Sequence, residues 1–246
     1  MRYLSLFMLL FLISCVSLEK ELTAQQIIDK TILYSGADKI DASKITFKFR
    51  DKEYAAIRRN GSFKLFKSFK KDSAIIVEIL TNTGYERSIN AQLIKVQDSM
   101  VSRYSNAVNS VHYFAVLPFG LNDTAVHKKL LKSSTVKGKE YYKVEVTFSK
   151  NGGGEDFDDV FIYWIGKEDF LIDYLAYSYH TNNGGMRFRV LKEQCVKNGI
   201  RFVDYHNYTP LKKTSSLIDI DKAFENNELK KVSEIVLKDI EVKLLD

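Results

Sequence analysis

Lys44-Ile45-Thr46-Phe47-Lys48-Phe49, followed past Asn60-Gly61 by Phe63-Lys64-Leu65-Phe66-Lys67, is the stretch on which the fold turns. Ile45, Phe47 and Phe49 alternate with Thr46 and Lys48, the period-two pattern of a strand with one face in a core and the other in water. Asn-Gly is a two-residue turn signal because both positions tolerate positive φ, so the second stretch is expected to fold back on the first as a hairpin. Toward the N-terminus the period becomes helical. Thr23 with Gln26 three positions on has the form of a capping box, Ile27, Ile28, Thr31 and Leu33 follow helical spacing, and Gly36 ends the run. Toward the C-terminus, strands are predicted over residues 74–80, 87–96, 141–149, 160–165, 171–180, 186–193 and 200–208, most separated by short turns carrying Asn, Gly or Lys. Residues 106–131, with Pro118, Gly120 and Asn122-Asp123-Thr124, read as a loop with a short capped helix. Residues 218–229 read as a further helix and 235–245 as a closing strand.

One helix followed by a long meander predicts a mainly β (α+β) fold. The expectation is a strongly curved antiparallel sheet, a half-open β-barrel, covered by the N-terminal helix and short helices, because so many strands must curl and their concave face must be covered. The chain of 246 residues is 45% hydrophobic and 28% charged, ordinary for a globular protein, and has only 2 Pro against 14 Tyr and 16 Phe. Disorder and fibrous repeats are excluded, and an unusual aromatic surface has to be buried. No linker or internal repeat divides residues 23–246, which read as a single domain.

The first residues address the chain. Arg2 precedes an uncharged stretch in which Leu4, Leu6, Phe7, Leu9, Leu10, Phe11 and Leu12 dominate, too short to span a bilayer and typical of an export signal. Leu12-Ile13-Ser14-Cys15 resembles the bacterial lipobox. The resemblance implies a signal peptide over 1–14, diacylglycerol on the Cys15 thiol, palmitate-type acyl chains and a lipidated tether over 15–22. Two or more acyl chains hold a protein stably on a membrane. Val16 after Cys15, rather than Asp, points to the outer membrane. With Cys15 consumed, Cys195 is the last thiol, so no intrachain disulfide can staple the fold. The net charge of +6 suits solubility and anionic head groups. Lys64, Lys67, Lys70 and Lys71 interleave with Phe63, Phe66 and Phe69, a spacing that can serve single-stranded nucleic acid. In an exported chain it reads instead as a Lys-protected edge strand, and no nucleic-acid partner is expected.

A lipobox, one helix and a meander that begins with alternating Phe together resemble the half-barrel of the LolA and LolB lipoprotein carriers. A closer resemblance lies in local strings: Leu117-Pro118-Phe119-Gly120-Leu121-Asn122-Asp123, Gly152-Gly153-Gly154-Glu155-Asp156-Phe157-Asp158-Asp159, Gly184-Gly185-Met186-Arg187-Phe188-Arg189 and Asp204-Tyr205-His206-Asn207-Tyr208. These are similar to a family of Bacteroidota lipoproteins, some of which carry the name deoxyribose-phosphate aldolase. Aldolases of that kind are eightfold strand-and-helix barrels with a reactive Lys at a strand end. Here strands follow one another without intervening helices, so the name implies a fold that this pattern does not have.

Candidate site residues fall into two groups. Asp156, Asp158 and Asp159, behind three glycines, could hold a hard cation such as calcium through carboxylate oxygens, although Phe161 stands where an EF-hand loop needs Gly; the alternative is a solvated hairpin turn. His112, Tyr113, Trp164, Asp173, Tyr177, Arg187, Arg189 and Asp204 are candidates for a ligand cavity. Asp173 shares a strand face with Tyr177 and orients a ligand or bonds a Tyr hydroxyl. Arg187 and Arg189 share a face, as do Asp204 and His206, so Asp–Arg cross-strand pairs or capture of a phosphate or carboxylate are the two readings. HExxH, CxxC, Gly-x-Ser-x-Gly, P-loop and dinucleotide patterns are absent. The first expectation is a monomeric, non-catalytic envelope lipoprotein without cofactor that binds a lipid or acyl chain. The others are an envelope hydrolase or metal-dependent enzyme built on the acidic loop with His112 or Asp173, and an interaction module without a small ligand.

Overall fold

The computed structural model describes residues 21–152, 157–180, 184–212 and 215–245. Its first element is helix α1 (Ala24–Tyr34), and the capping box is present: Thr23 Oγ1 accepts from the Gln26 N–H and Gln26 Oε1 accepts from the Thr23 N–H at 2.9 Å. Ile27, Ile28 and Thr31 form its buried face. Gly36, at φ 70°, ends the run. A Cβ there would stand 1.8 Å from the Gly199 carbonyl oxygen, so the helix end is pressed against the backbone of a turn far along the chain.

A single 3₁₀ turn leads into a meander of β1 (Ala42–Phe49), β2 (Lys52–Arg59), β3 (Ser62–Lys71), β4 (Ala74–Thr81), β5 (Gly84–Ile89) and β6 (Gln92–Leu93). Asn60 and Gly61 have φ of 50° and 76°, and Arg59 faces Ser62 across their turn, as the Asn-Gly signal predicts. Helix α2 (Asp98–Ala115) follows. A second meander then runs through β7 (Val126–Val136), β8 (Lys139–Phe148), β9 (Val160–Gly166), β10 (Ile172–Tyr179), β11 (Gly185–Lys197) and β12 (Ile200–Pro210). Helix α3 (Ile220–Glu225), β13 (Leu229–Ile235) and β14 (Leu237–Leu244) complete the order.

All paired strands are antiparallel, in two seven-stranded sheets ordered β14-β1-β2-β3-β4-β5-β6 and β13-β12-β11-β10-β9-β8-β7. Only Val236 separates β13 from β14, so the chain steps from the edge of one sheet onto the edge of the other and joins them along a seam. Asp204 on β12 pins that seam by accepting the Leu237 N–H at 2.9 Å, and Asn198 Nδ2 donates to the Val242 carbonyl at 2.7 Å. The result is the expected fold class: a mostly β, curled and unclosed sheet with few helices.

Helices cover both faces of the second sheet. Ile27 and Ile28 of α1 pack with Val144, Val146, Phe161, Tyr163 and Leu175 on the inner face. On the outer face, Ile220 of α3 packs with Ile162, Trp164, Tyr174, Ala176 and Phe188. With both sides covered, β9 is buried at nearly every position, which explains why it reads as a continuous apolar run rather than an alternation. Helix α2 lies on the first sheet, Val108 packing against Ala56 and Leu65.

The structure corrects several sequence expectations. Residues 106–131 are not a loop: α2 occupies the first part and β7 the end. The strand expected over 87–96 is the β5–β6 hairpin, with Asn90 and Ala91 at positive φ in its turn. The helix expected over 218–229 shortens to α3, and the closing strand divides at Val236 into β13 and β14. The Lys-rich β3 is no edge strand, since β2 and β4 pair on either side and Lys67 is drawn inward to Glu78 at 2.6 Å. No βα alternation appears among the described residues, so the architecture is not that of an eightfold barrel.

Candidate functional site

Side chains alternate across a strand, so odd-numbered positions from β9 to β12 share the inner face: Phe161, Tyr177, Tyr179, Arg187, Arg189, Val203, Tyr205 and Asn207. The second half of α2 lies over this face with Tyr113 and Phe114, and the seam closes it with Ser233, Ile235 and Leu237. Together they surround a cavity of about 550 Å³, inside the usual range for small-molecule pockets.

Its wall is a continuous aromatic contact. Phe161 stacks on Tyr177 with ring centroids 5.3 Å apart, Phe114 leans on Tyr177 at 5.2 Å, and Phe148 meets Phe161 edge-on at 5.7 Å. Tyr113 and Tyr163 share a hydroxyl hydrogen bond of 3.2 Å. Burial pushes the Tyr113 and Tyr205 hydroxyls up to about 12 and Tyr163 well above its ordinary value, so all three stay neutral. Among the described residues the cations of its lining are Arg50, Arg187 and Arg189 and the carboxylate is that of Asp159. Arg187 donates to the Met186 carbonyl at 2.9 Å and to Thr209 Oγ1 at 3.3 Å. The Arg189 guanidinium lies 3.8 Å from the Phe114 ring centroid and donates to Tyr177 Oη at 3.2 Å.

Of the eight ligand candidates singled out in the sequence, Tyr113, Tyr177, Arg187 and Arg189 come together in this cavity. The others are placed elsewhere. His112 turns from it, its Nε2 donating to the Phe66 carbonyl at 3.0 Å with Phe47 and Tyr54 meeting its ring. Trp164 projects from the outer face, donating to Asp221 at 3.1 Å beside the buried Lys143–Asp221 pair. Asp173 sits where the β9–β10 register shifts and joins a separate polar cluster, bonded to Lys139 Nζ at 2.7 Å, Tyr141 Oη at 3.0 Å and Arg201 Nη2 at 3.5 Å. Asp204 belongs to the seam. Arg189 faces Asn207 across the ladder and Asp204 faces Glu193, so the Asp–Arg pairing weighed from the sequence does not form.

Cys15 and Asp156 lie outside the described residues. Asp159 reaches the cavity wall with His180 Nδ1 3.8 Å away, and among the described residues no three His, Cys, Asp or Glu side chains gather as a metal centre would need. Reading the sequence missed Phe114, Phe161, Tyr205 and Asn207. Strand parity was the available signal for the last three, because they share a face with Arg187, Arg189 and Tyr177.

Among solved structures, a LolA superfamily protein from Nitrosomonas europaea aligns with a TM-score of 0.50 at 12% identity, over 92% of this chain and 94% of that one. A DUF1329 family protein from Desulfovibrio piger gives 0.47 at 11% identity, over 89% and 92%. An outer membrane lipoprotein-sorting protein domain from Vibrio parahaemolyticus gives 0.46 at 10% identity, over 89% and 93%. At such identity the likeness to the first is one of fold. No curated protein matches the sequence. Residues 2–236 match the sequence model of a family of unknown function, DUF6503.

Proposed function

The chain belongs to the DUF6503 family, and from its fold and cavity we propose that it is an envelope lipoprotein that binds one apolar or amphipathic chain, a lipid or acyl group, without catalysis. The observation that carries this reading is the cavity of about 550 Å³ walled by stacked Phe114, Phe161 and Tyr177. Aromatic faces and a few placed polar groups are what a pocket for a hydrocarbon chain requires. The LolA-like curl supports it by supplying a concave face that helices cover without filling.

The anchor in this proposal is lipidated Cys15 after a signal peptide over 1–14, with 15–22 as tether and 23–246 as the binding domain. The outer membrane of a Bacteroidota cell is the proposed location, supported by the lipobox-like string and Val16. Among the described residues no helix is long and apolar enough to cross a membrane. The enzyme reading draws less support: His112, Asp173 and Asp159 lie in three separate surroundings and converge on no shared atom.

Native mass spectrometry of the full chain from a native-like host, with organic extraction of whatever is retained, tests the proposal. A stoichiometric apolar mass is the expected result. A calcium mass lost with chelator moves the weight to Asp156, Asp158 and Asp159, and a clean apo mass that ignores added lipids overturns the binding reading.

A further inference from the structure

A pocket for neutral hydrocarbon has no need of a buried cation, yet Arg189 lines this one at 7% exposure. One Nη donates to Tyr177 Oη, while its Nε and other Nη make no hydrogen bond to the described residues. Acidic groups of the same sheet are engaged elsewhere: Asp173 with Lys139 and Arg201, Asp204 with the Leu237 N–H, Glu234 with Lys192. Asp159, the acid in the cavity wall, lies beside His180. Across the ladder stands the neutral Asn207, whose Nδ2 is spent on Ser233. A desolvated guanidinium with no counter-ion among the described residues is unfavourable, and the stacking of Phe114 and Tyr177 on it offsets only part of that cost.

We propose that Arg189 holds the head of an anionic amphiphile, a carboxylate or phosphate, while a single apolar chain lies along the Phe114, Phe161 and Tyr177 wall. This deepens the function proposed above and rests on it. Guanidinium suits either oxyanion, because its planar donors match two oxygens at once. Among the described lining residues Arg50, Arg187 and Arg189 outnumber Asp159, which favours the same sign of ligand.

Equilibrium dialysis of the full chain against radiolabelled dodecanoate, dodecyl phosphate and 1-dodecanol separates head from tail. At least one anion is expected to bind about tenfold or more tightly than the alcohol, as a charge-assisted bond out of water allows. Arg189→Met should bring the anions down to the level of the alcohol, and Arg189→Lys should recover part of the difference. Which anion binds identifies the head as carboxylate or phosphate. Equal binding of anions and alcohol by the wild type overturns the role of Arg189 and leaves the cavity reading standing, whereas binding of none overturns both. Should Arg189→Met melt early by circular dichroism, the wild-type ratio and Arg189→Lys still decide.

Discussion

His112 shows what burial does to a titratable ring. At 1% exposure its pKa is lowered from 6.5 to about 4, chiefly by desolvation, against the bond to the Phe66 carbonyl and with help from the Arg58 charge. Because that carbonyl can only accept, Nε2 carries the proton and the ring is neutral. Between pH 6.5 and 4 the unfolded chain takes up a proton that the folded chain refuses. Stability is therefore whole above pH 6.5 and falls as pH drops through that window, by up to about 3 kcal/mol. Denaturant midpoints measured from pH 7 to 4.5 should fall in the wild type and flatten in His112→Met; equal slopes would show that other groups govern acid sensitivity. Its role in the sequence was hard to read for the same reason. A lone His beside Tyr113 and Phe114 carries no sign of which way its helix is turned, and one helical step separates the cavity from the face of the first sheet.

Elements differ in how openly their sequence declares them. α1 is legible because Thr23, Gln26, the apolar spacing and Gly36 all agree. α2 has its signal at Val101, Tyr104, Val108, His112 and Ala115, but Ser and Asn fill the positions between, and Gln97 supplies no side-chain cap. β7 follows Asn122-Asp123-Thr124, a run that resembles a helix start, and its strand is decided by pairing with β8 rather than by its own pattern. The cavity was half legible: parity puts Tyr177, Arg187 and Arg189 on one face, but nothing in Asp173 announces the register shift that carries it into another cluster. At the end of α1, Gly36→Ala combines positive φ with a clash on the Gly199 carbonyl, and both neighbours are backbone. The expected loss exceeds about 2 kcal/mol in urea unfolding. A loss below about 0.5 kcal/mol would mean that the helix end and the β11–β12 turn separate freely.

At the scale of the molecule the seam at Val236 decides the shape. Two seven-stranded sheets that met only through side chains could slide, but a chain that leaves one edge and enters the other fixes their angle. Ser233, Ile235 and Leu237 thereby become part of the cavity wall. Affinity for the proposed ligand and the integrity of this junction should rise and fall together, since the same residues line the cavity and form the seam. The outer core of Trp164, Phe188 and α3 stiffens the sheet from behind, so the rings on its inner face hold their places without a ligand to brace them.

The pairing of β1 with β14 also sets a timetable. β1 is made long before β14, and its neighbour on one side is that last described strand. Until that neighbour arrives, the backbone N–H and C=O groups along one side of β1 stand open to any passing strand. Contacts between such distant segments form slowly, so a newly made chain spends the interval with a sticky flank. Ending the chain after Val236 makes the interval permanent. Such a variant should sediment as aggregates where the whole chain stays dispersed, and a well-behaved truncated species would show that β1 is protected by something other than its late partner.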